Sequence, residues 1–160
     1  MSISFFVPGT PATAGSKRAV PIRKGDGTVV GLRAIHDNPH TKPWMAAVAS
    51  AAREAYQGEL LRGPLRLELT FFRPRPKGHF GSGKNGGRIK ESAPTYPTTK
   101  PDVLKLGRAI EDALKGVIYA DDSQNVEVIV RKVWGESAGC RVEISELVPG
   151  DVKRGEHLTA

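Results

Sequence analysis

The sequence predicts an α+β domain, a small mixed β-sheet with helices packed on it in the order β-α-β-α-β-β. Three observations predict it. Leu65, Leu67, Leu69 and Phe71 alternate with Arg66, Glu68 and Thr70, the period of a strand with one buried face. Val103, Leu106, Ile110, Ala113 and Leu114 recur at helical spacing, with Gly116 as a stop. Val126, Val128 and Val130, then Val142 and Ile144, alternate again on either side of Gly135-Glu136-Ser137-Ala138-Gly139.

Taken in order, Ile3 to Val7 is an apolar run closed by Pro8-Gly9-Thr10-Pro11, a strand ending in a turn. Residues 9–41 are rich in Gly, Pro, Lys and Arg and read mostly as loop, with a small hairpin suggested at Gly25-Asp26-Gly27. Trp44, Val48, Ala51, Ala52 and Ala55 carry a helix over 43–57, with Pro43 suited to its first turn and Gly58 at its end. The strand at 65–71 follows Gly63-Pro64. Five prolines and five glycines without period then make 73–101 a loop, and a loop that long is uncommon unless functional or disordered. The helix over 102–115 runs about 21 Å at 1.5 Å per residue. The two final runs read as a hairpin, with Arg131, Lys132, Arg141, Glu143 and Ser145 facing solvent. One domain over 1–148, with basic loops 9–41 and 73–101, and a flexible tail over 149–160 is the expected organisation.

The chain has 160 residues and a formal net charge of +7, a balance that favours polyanionic partners. That charge is local. Between Arg73 and Lys100 seven Lys and Arg face a single acid, Glu91, and between residues 14 and 33 five face Asp26. Lys17, Arg18, Arg73, Arg75, Lys77, Lys100 and Lys105 are therefore the candidate nucleic-acid contacts. No apolar run approaches the roughly 20 residues of a membrane span. The first residues carry no basic leader and Cys140 has no second cysteine to pair with, so a reducing, cytoplasmic setting is expected.

Against this basic background the acids that stand out are Asp102, at the start of the second helix, and Asp121-Asp122, in the turn after it. Each alone has a structural explanation. Asp is a favoured N-cap, and Asp-Asp-Ser is ordinary turn material. Jointly they suggest a divalent-metal site, provided residues 117–120 run back along the helix to bring them together. Mg²⁺ prefers oxygen ligands, keeps several waters and is usually held by one or two carboxylates plus phosphate. So held, it polarises a phosphodiester and activates the attacking water.

The run Lys100-Pro101-Asp102-Val103-Leu104-Lys105-Leu106, then Arg108-Ala109, Asp112-Ala113-Leu114, Gly116-Val117-Ile118-Tyr119 and Asp121-Asp122-Ser123-Gln124-Asn125-Val126, resembles the RusA-type Holliday junction resolvases. Many of these are encoded by phages and prophages. Their pattern is Asp-x-Asp at a helix start, a basic residue one turn on, and Asp-Asp-x-Gln before the next strand. Phe6-Val7-Pro8-Gly9-Thr10-Pro11, Lys17-Arg18 and Lys42-Pro43-Trp44 look like the family's opening. The resemblance implies a homodimer that binds four-way junctions and makes paired nicks with Mg²⁺, Mn²⁺ being a substitute. By position Asp102 and Asp122 are the essential carboxylates, Asp121 supports them, and Arg108 is the basic residue near the scissile phosphate, where the family usually has Lys.

Leu104 departs from the pattern by occupying the second acid of Asp-x-Asp. Leucine cannot bind a metal. Either Asp102, Asp121 and Asp122 rebuild the site, or the protein is a module that grips DNA without cutting it. Other chemistries find less support. Pro101-Asp102 opens a Pro-Asp…(Asp/Glu)-x-Lys pattern whose only later match, Asp151-Val152-Lys153, falls in the tail. His36 and His40 are separated by Pro39, while His79, His157 and Cys140 are scattered, so no zinc spacing forms. No Ser-His-Asp, Cys-His or phosphate-cradling glycine motif indicates covalent catalysis or a nucleotide cofactor.

Overall fold

The computed structural model describes residues 1–15, 17–36 and 38–148, without the side chains of Lys17 and His36. The expected tail over 149–160 lies outside the described residues. The α+β class is as predicted. Strands β1 (Ser2–Pro8), β4 (Leu65–Pro74), β5 (Asn125–Gly135) and β6 (Gly139–Glu146) form a sheet in the order β1-β6-β4-β5, in which only the β4–β5 pair is parallel. Helices α1 (Thr41–Ala55) and α2 (Val103–Leu114) cover one face.

The alternation in β4 does what its sequence demands. Leu65, Leu67, Leu69 and Phe71 are fully buried beneath the helices, beside Val142 and Ile144 of β6 and Ile3 and Val7 of β1. From α2 come Leu106, Ala109, Ile110 and Leu114, and from α1 Trp44, Val48 and Ala52. Each large aliphatic so buried is worth about 1.5–3 kcal/mol, which makes this single cluster the main source of stability. Cys140 is buried in it, and that burial pushes its thiol up to about 12. No helix among the described residues is long and apolar enough to cross a membrane.

Three expectations need correction. Within residues 9–41 the small hairpin is larger than expected, its strands taking fifteen of the thirty-three residues. Strands β2 (Lys17–Arg23) and β3 (Val29–His36) pair antiparallel around the expected turn, where Lys24 N–H bonds Thr28 O and Gly27 takes φ +85°. This ribbon makes a sheet of its own, and Leu32 is 69% exposed on it. It therefore lacks the buried-face alternation that reveals a strand. The final two strands are not a hairpin either. β4 lies between β5 and β6, because the crossover through α2 returns β5 parallel to β4. Residues 136–138 then carry the chain past the end of β4, with Gly135 so close to Phe72 that an added Cβ would meet its Cβ and Cδ1 at 3.0 Å.

Helix α1 starts two residues earlier than expected, at a buried Thr41 whose hydroxyl donates to Thr13 O at 2.6 Å. It ends at Ala55 because Tyr56 turns to extended backbone, its hydroxyl donating to Glu59 O. The 75–101 loop contains two 3-10 turns, Lys77–His79 and Gly83–Asn85.

Candidate nuclease site

Asp102 is the N-cap of α2. Its Oδ1 accepts from the backbone N–H groups of Leu104 and Lys105, at 2.9 and 3.1 Å. Both structural and chemical duties are open to it, since the cap uses one oxygen and the side chain is exposed. A cleft of about 800 Å³ opens here, lined by Thr13, Thr99, Lys100, Asp102, Lys105 and Lys132 among others. Three lysines thus surround one carboxylate, a positive basin suited to phosphate.

The cleft lies toward the C-terminal ends of the parallel strands β4 and β5, whose side chains hold its wall. From β4, Arg73 Nη1 donates to Thr99 O, Thr99 Oγ1 and Lys100 O at 3.2, 3.2 and 2.7 Å. From β5, Lys132 Nζ donates to Thr99 O and Pro101 O, both at 2.9 Å. Farther along, Arg75 Nη1 and Trp134 Nε1 both donate to Pro94 O, and the Arg75 guanidinium sits 5.2 Å from the Trp134 ring centroid. Carbonyls in an irregular segment need partners, and these side chains supply them. Arg73 and Arg75, expected from the sequence as DNA contacts, are bound to the loop's own backbone. Lys132, expected to face solvent, is half-buried at the site.

Of the remaining basic candidates, Lys77, Lys100, Lys105 and Arg18 are exposed. Lys17 has a side chain outside the described residues. Arg108 lies one turn beyond Leu104, where the 12–15 segment crosses α2. Ala14 N–H bonds Lys105 O there, and a Cβ on Gly15 would lie 3.6 Å from Arg108 Cδ. Leu104 itself is 72% exposed.

Asp121 and Asp122 stand at the other end of α2. Gly116, at φ +73°, and Val117–Tyr119 make a tight turn that does not run back along the helix. Asp121 caps the 3-10 turn Asp122–Gln124, with Oδ1 accepting from Ser123 N–H. Gln124 is the clamp. Its Oε1 accepts from the N–H groups of Ala120 and Asp121, and its Nε2 donates to Leu61 O and Gly63 O. The Gln of the Asp-Asp-x-Gln run is therefore a structural anchor for the acids before it.

Lys115, an ordinary helix-end lysine by sequence, lies 2.6 Å from Asp121 Oδ2 and 3.2 Å from Asp122 Oδ1. Its ammonium, with the Ser123 N–H, holds Asp121 well below the usual carboxylate range. Behind them Glu111 accepts from Asn125 Nδ2 at 3.2 Å, and burial raises its carboxyl. Asn125 Oδ1 is buried without a hydrogen-bond partner among the described residues.

Within one chain, then, Asp102 and the Asp121-Asp122 pair are separated by the twelve residues of α2, about 18 Å. No group of three His, Cys, Asp or Glu with the geometry to hold a metal occurs among the described residues. Lys132, Lys115 and Gln124 are what sequence reasoning missed or left without a role.

The match to known proteins covers this whole arrangement. The model of the family described as endodeoxyribonuclease RusA matches residues 8–145, from the end of β1 to the end of β6. The uncharacterized protein YqaN of Bacillus subtilis (strain 168) is 35% identical over 148 residues, covering 91% of this chain and 96% of that protein. A match of that extent, over both ends of α2 and the strands that carry them, makes the chain a member of the RusA endodeoxyribonuclease family.

Proposed function

We propose that the protein is a divalent-metal-dependent endodeoxyribonuclease that nicks branched DNA such as four-way junctions, working as a homodimer. The observation that carries this reading is Asp102, a carboxylate set among Lys100, Lys105 and Lys132 in an open cleft. Asp102 fits a hard cation because both cap bonds fall on Oδ1, and among the described residues no bond to Oδ2 accompanies them. Asp122 fits too, meeting Lys115 through Oδ1. Mg²⁺ needs only one or two such carboxylates, with water and phosphate completing its shell.

The 18 Å between the ends of α2 gives the homodimer its function. We read the site as composite, with Asp102 of one protomer meeting Asp122 of the other and Asp121 supporting it. A bound Mg²⁺ or Mn²⁺ would polarise the scissile phosphodiester and lower the pKa of a water. The chain's own groups do the rest. Lys100 and Lys105 hold flanking phosphates, Arg108 stands one turn behind the capped end to neutralise the scissile one, and the 75–101 loop with Lys77 extends the basic surface. Affinity should fall steeply with salt as condensed counterions are released.

Mixing of inactive variants tests this reading. Asp102→Asn and Asp122→Asn homodimers should each bind a synthetic four-way junction without nicking it. In mixed dimers a composite arrangement restores one intact site, so nicking should return. If the mixed population stays inactive while the unmodified protein nicks with Mg²⁺, the site lies within one chain and the composite reading fails. The second reading, a binding module with a degenerate site, is favoured by the exposed Leu104 at the vacant acid position. Junction binding without nicks by the unmodified protein, at any Mg²⁺ or Mn²⁺ concentration, would establish it.

A further inference from the structure

We infer that Lys132 is a positioning residue for Asp102, setting the backbone from which that carboxylate projects. The inference rests on the metal-site reading above and adds to it a residue on a different element, β5.

Alternation along β5 puts Lys132 on the helix-bearing face, where two residues earlier Val130 lies against Gly107 of α2. From there its Nζ reaches Thr99 O and Pro101 O, each at 2.9 Å. The second bond matters most. The Pro101 carbonyl belongs to the peptide unit that contains the nitrogen and Cα of Asp102, and that unit is planar. Fixing the carbonyl fixes the plane, and with it the point from which the Asp102 side chain starts. Arg73 grips the same segment but bonds Thr99 and Lys100, stopping one carbonyl short. An ammonium carries three donors, so among the described residues Lys132 retains one at the wall of the cleft it shares with Asp102.

Positioning and simple charge make opposite predictions. Removing a cation beside a carboxylate removes repulsion toward a divalent ion, which across a water-filled cleft should tighten metal binding severalfold. Releasing the Asp102 backbone should weaken it. The sign of the change separates the two roles.

The test titrates Mn²⁺ into the full-length protein without DNA, by calorimetry or by the free-ion paramagnetic signal. Lys132→Met, Lys132→Arg and Asp102→Asn are compared with the unmodified chain. Lys132→Met should weaken Mn²⁺ binding about tenfold, approaching Asp102→Asn. Lys132→Arg, whose guanidinium can bridge two carbonyls, should recover part of the loss. It also keeps the test decisive if Lys132→Met folds poorly.

Unchanged or tighter Mn²⁺ binding in folded Lys132→Met, alongside weakened binding in Asp102→Asn, overturns the inference and leaves the metal site standing. Loss of junction affinity with Mn²⁺ binding intact makes Lys132 a phosphate contact and likewise overturns it. If Asp102→Asn binds Mn²⁺ as the unmodified chain does, the metal assignment fails and this inference falls with it.

Discussion

Lys115 Nζ lies 2.6 Å from Asp121 Oδ2 and 3.2 Å from Asp122 Oδ1, so one ammonium joins the two acids at the end of α2. Asp121 and then Asp122 raise the lysine's pKa in return. A metal drawn to Asp122 meets this ammonium on the same carboxylate. Lys115→Met should therefore tighten Mn²⁺ binding severalfold at low salt. All three groups are close to half exposed, so the gain should shrink as added salt screens the charges. Titrations at two ionic strengths check both statements, and looser binding in the variant would show Lys115 to be a support for the acids instead of a competitor.

Leu104 offers a gain-of-function test at little structural cost. It is 72% exposed in the first turn of α2, so Leu104→Asp removes scarcely any packing and places an acid where the positive helix end favours one. Stability should change by less than about 0.5 kcal/mol. If the missing acid limits the site, Mn²⁺ binding and the rate of junction nicking should both rise, by about tenfold or more. Unchanged nicking with tighter metal binding would mean that the limit lies elsewhere.

What the sequence made legible follows from burial. The β4 alternation and the apolar stripe of α2 face the same core, and each was readable from its period. The β2–β3 ribbon forms a sheet of its own and leaves Val29, Val30 and Leu32 exposed, so only its Gly25-Asp26-Gly27 turn left a signal. Strand neighbours were illegible for another reason, because the alternation of β5 is equally compatible with pairing to β6 or to β4. The site shows the same division. Asp102, Asp121 and Asp122 stood out as acids in a basic chain. Lys132 looked like any lysine on a strand, since its role depends on a loop some thirty residues away folding onto it.

Asp102 has a structural duty as well as a chemical one, and the two can be separated. Asn retains a side-chain oxygen able to accept from the Leu104 and Lys105 amides, whereas Ala leaves those donors without it. Asp102→Ala should lower stability by about 1 kcal/mol, and Asp102→Asn by a few tenths. Urea midpoints measure the difference. Both variants should lose nicking alike. Equal stability losses would show that the cap contributes nothing and that Asp102 is kept for chemistry alone.

Glu111 predicts a slope in stability against pH. Burial chiefly raises its carboxyl above the ordinary glutamate range, with the Asp122 and Asp112 charges adding to the rise and the Asn125 hydrogen bond opposing it. As pH climbs through the window just above that range, the unfolded chain gives up the proton first, so the folded state holds more protons and stability falls. Asp121, held low, acts in the opposite sense and in a lower window, below the ordinary aspartate range. Glu111→Gln keeps an oxygen for Asn125 Nδ2 and removes the titration. Its melting temperature should exceed the unmodified protein's at pH 7. At pH 4, where Glu111 is mostly protonated in both states, the two should converge. A constant difference across that range would assign the effect to packing, and a less stable variant at pH 7 would mean that the ionised carboxylate contributes through Asn125 more than its burial costs.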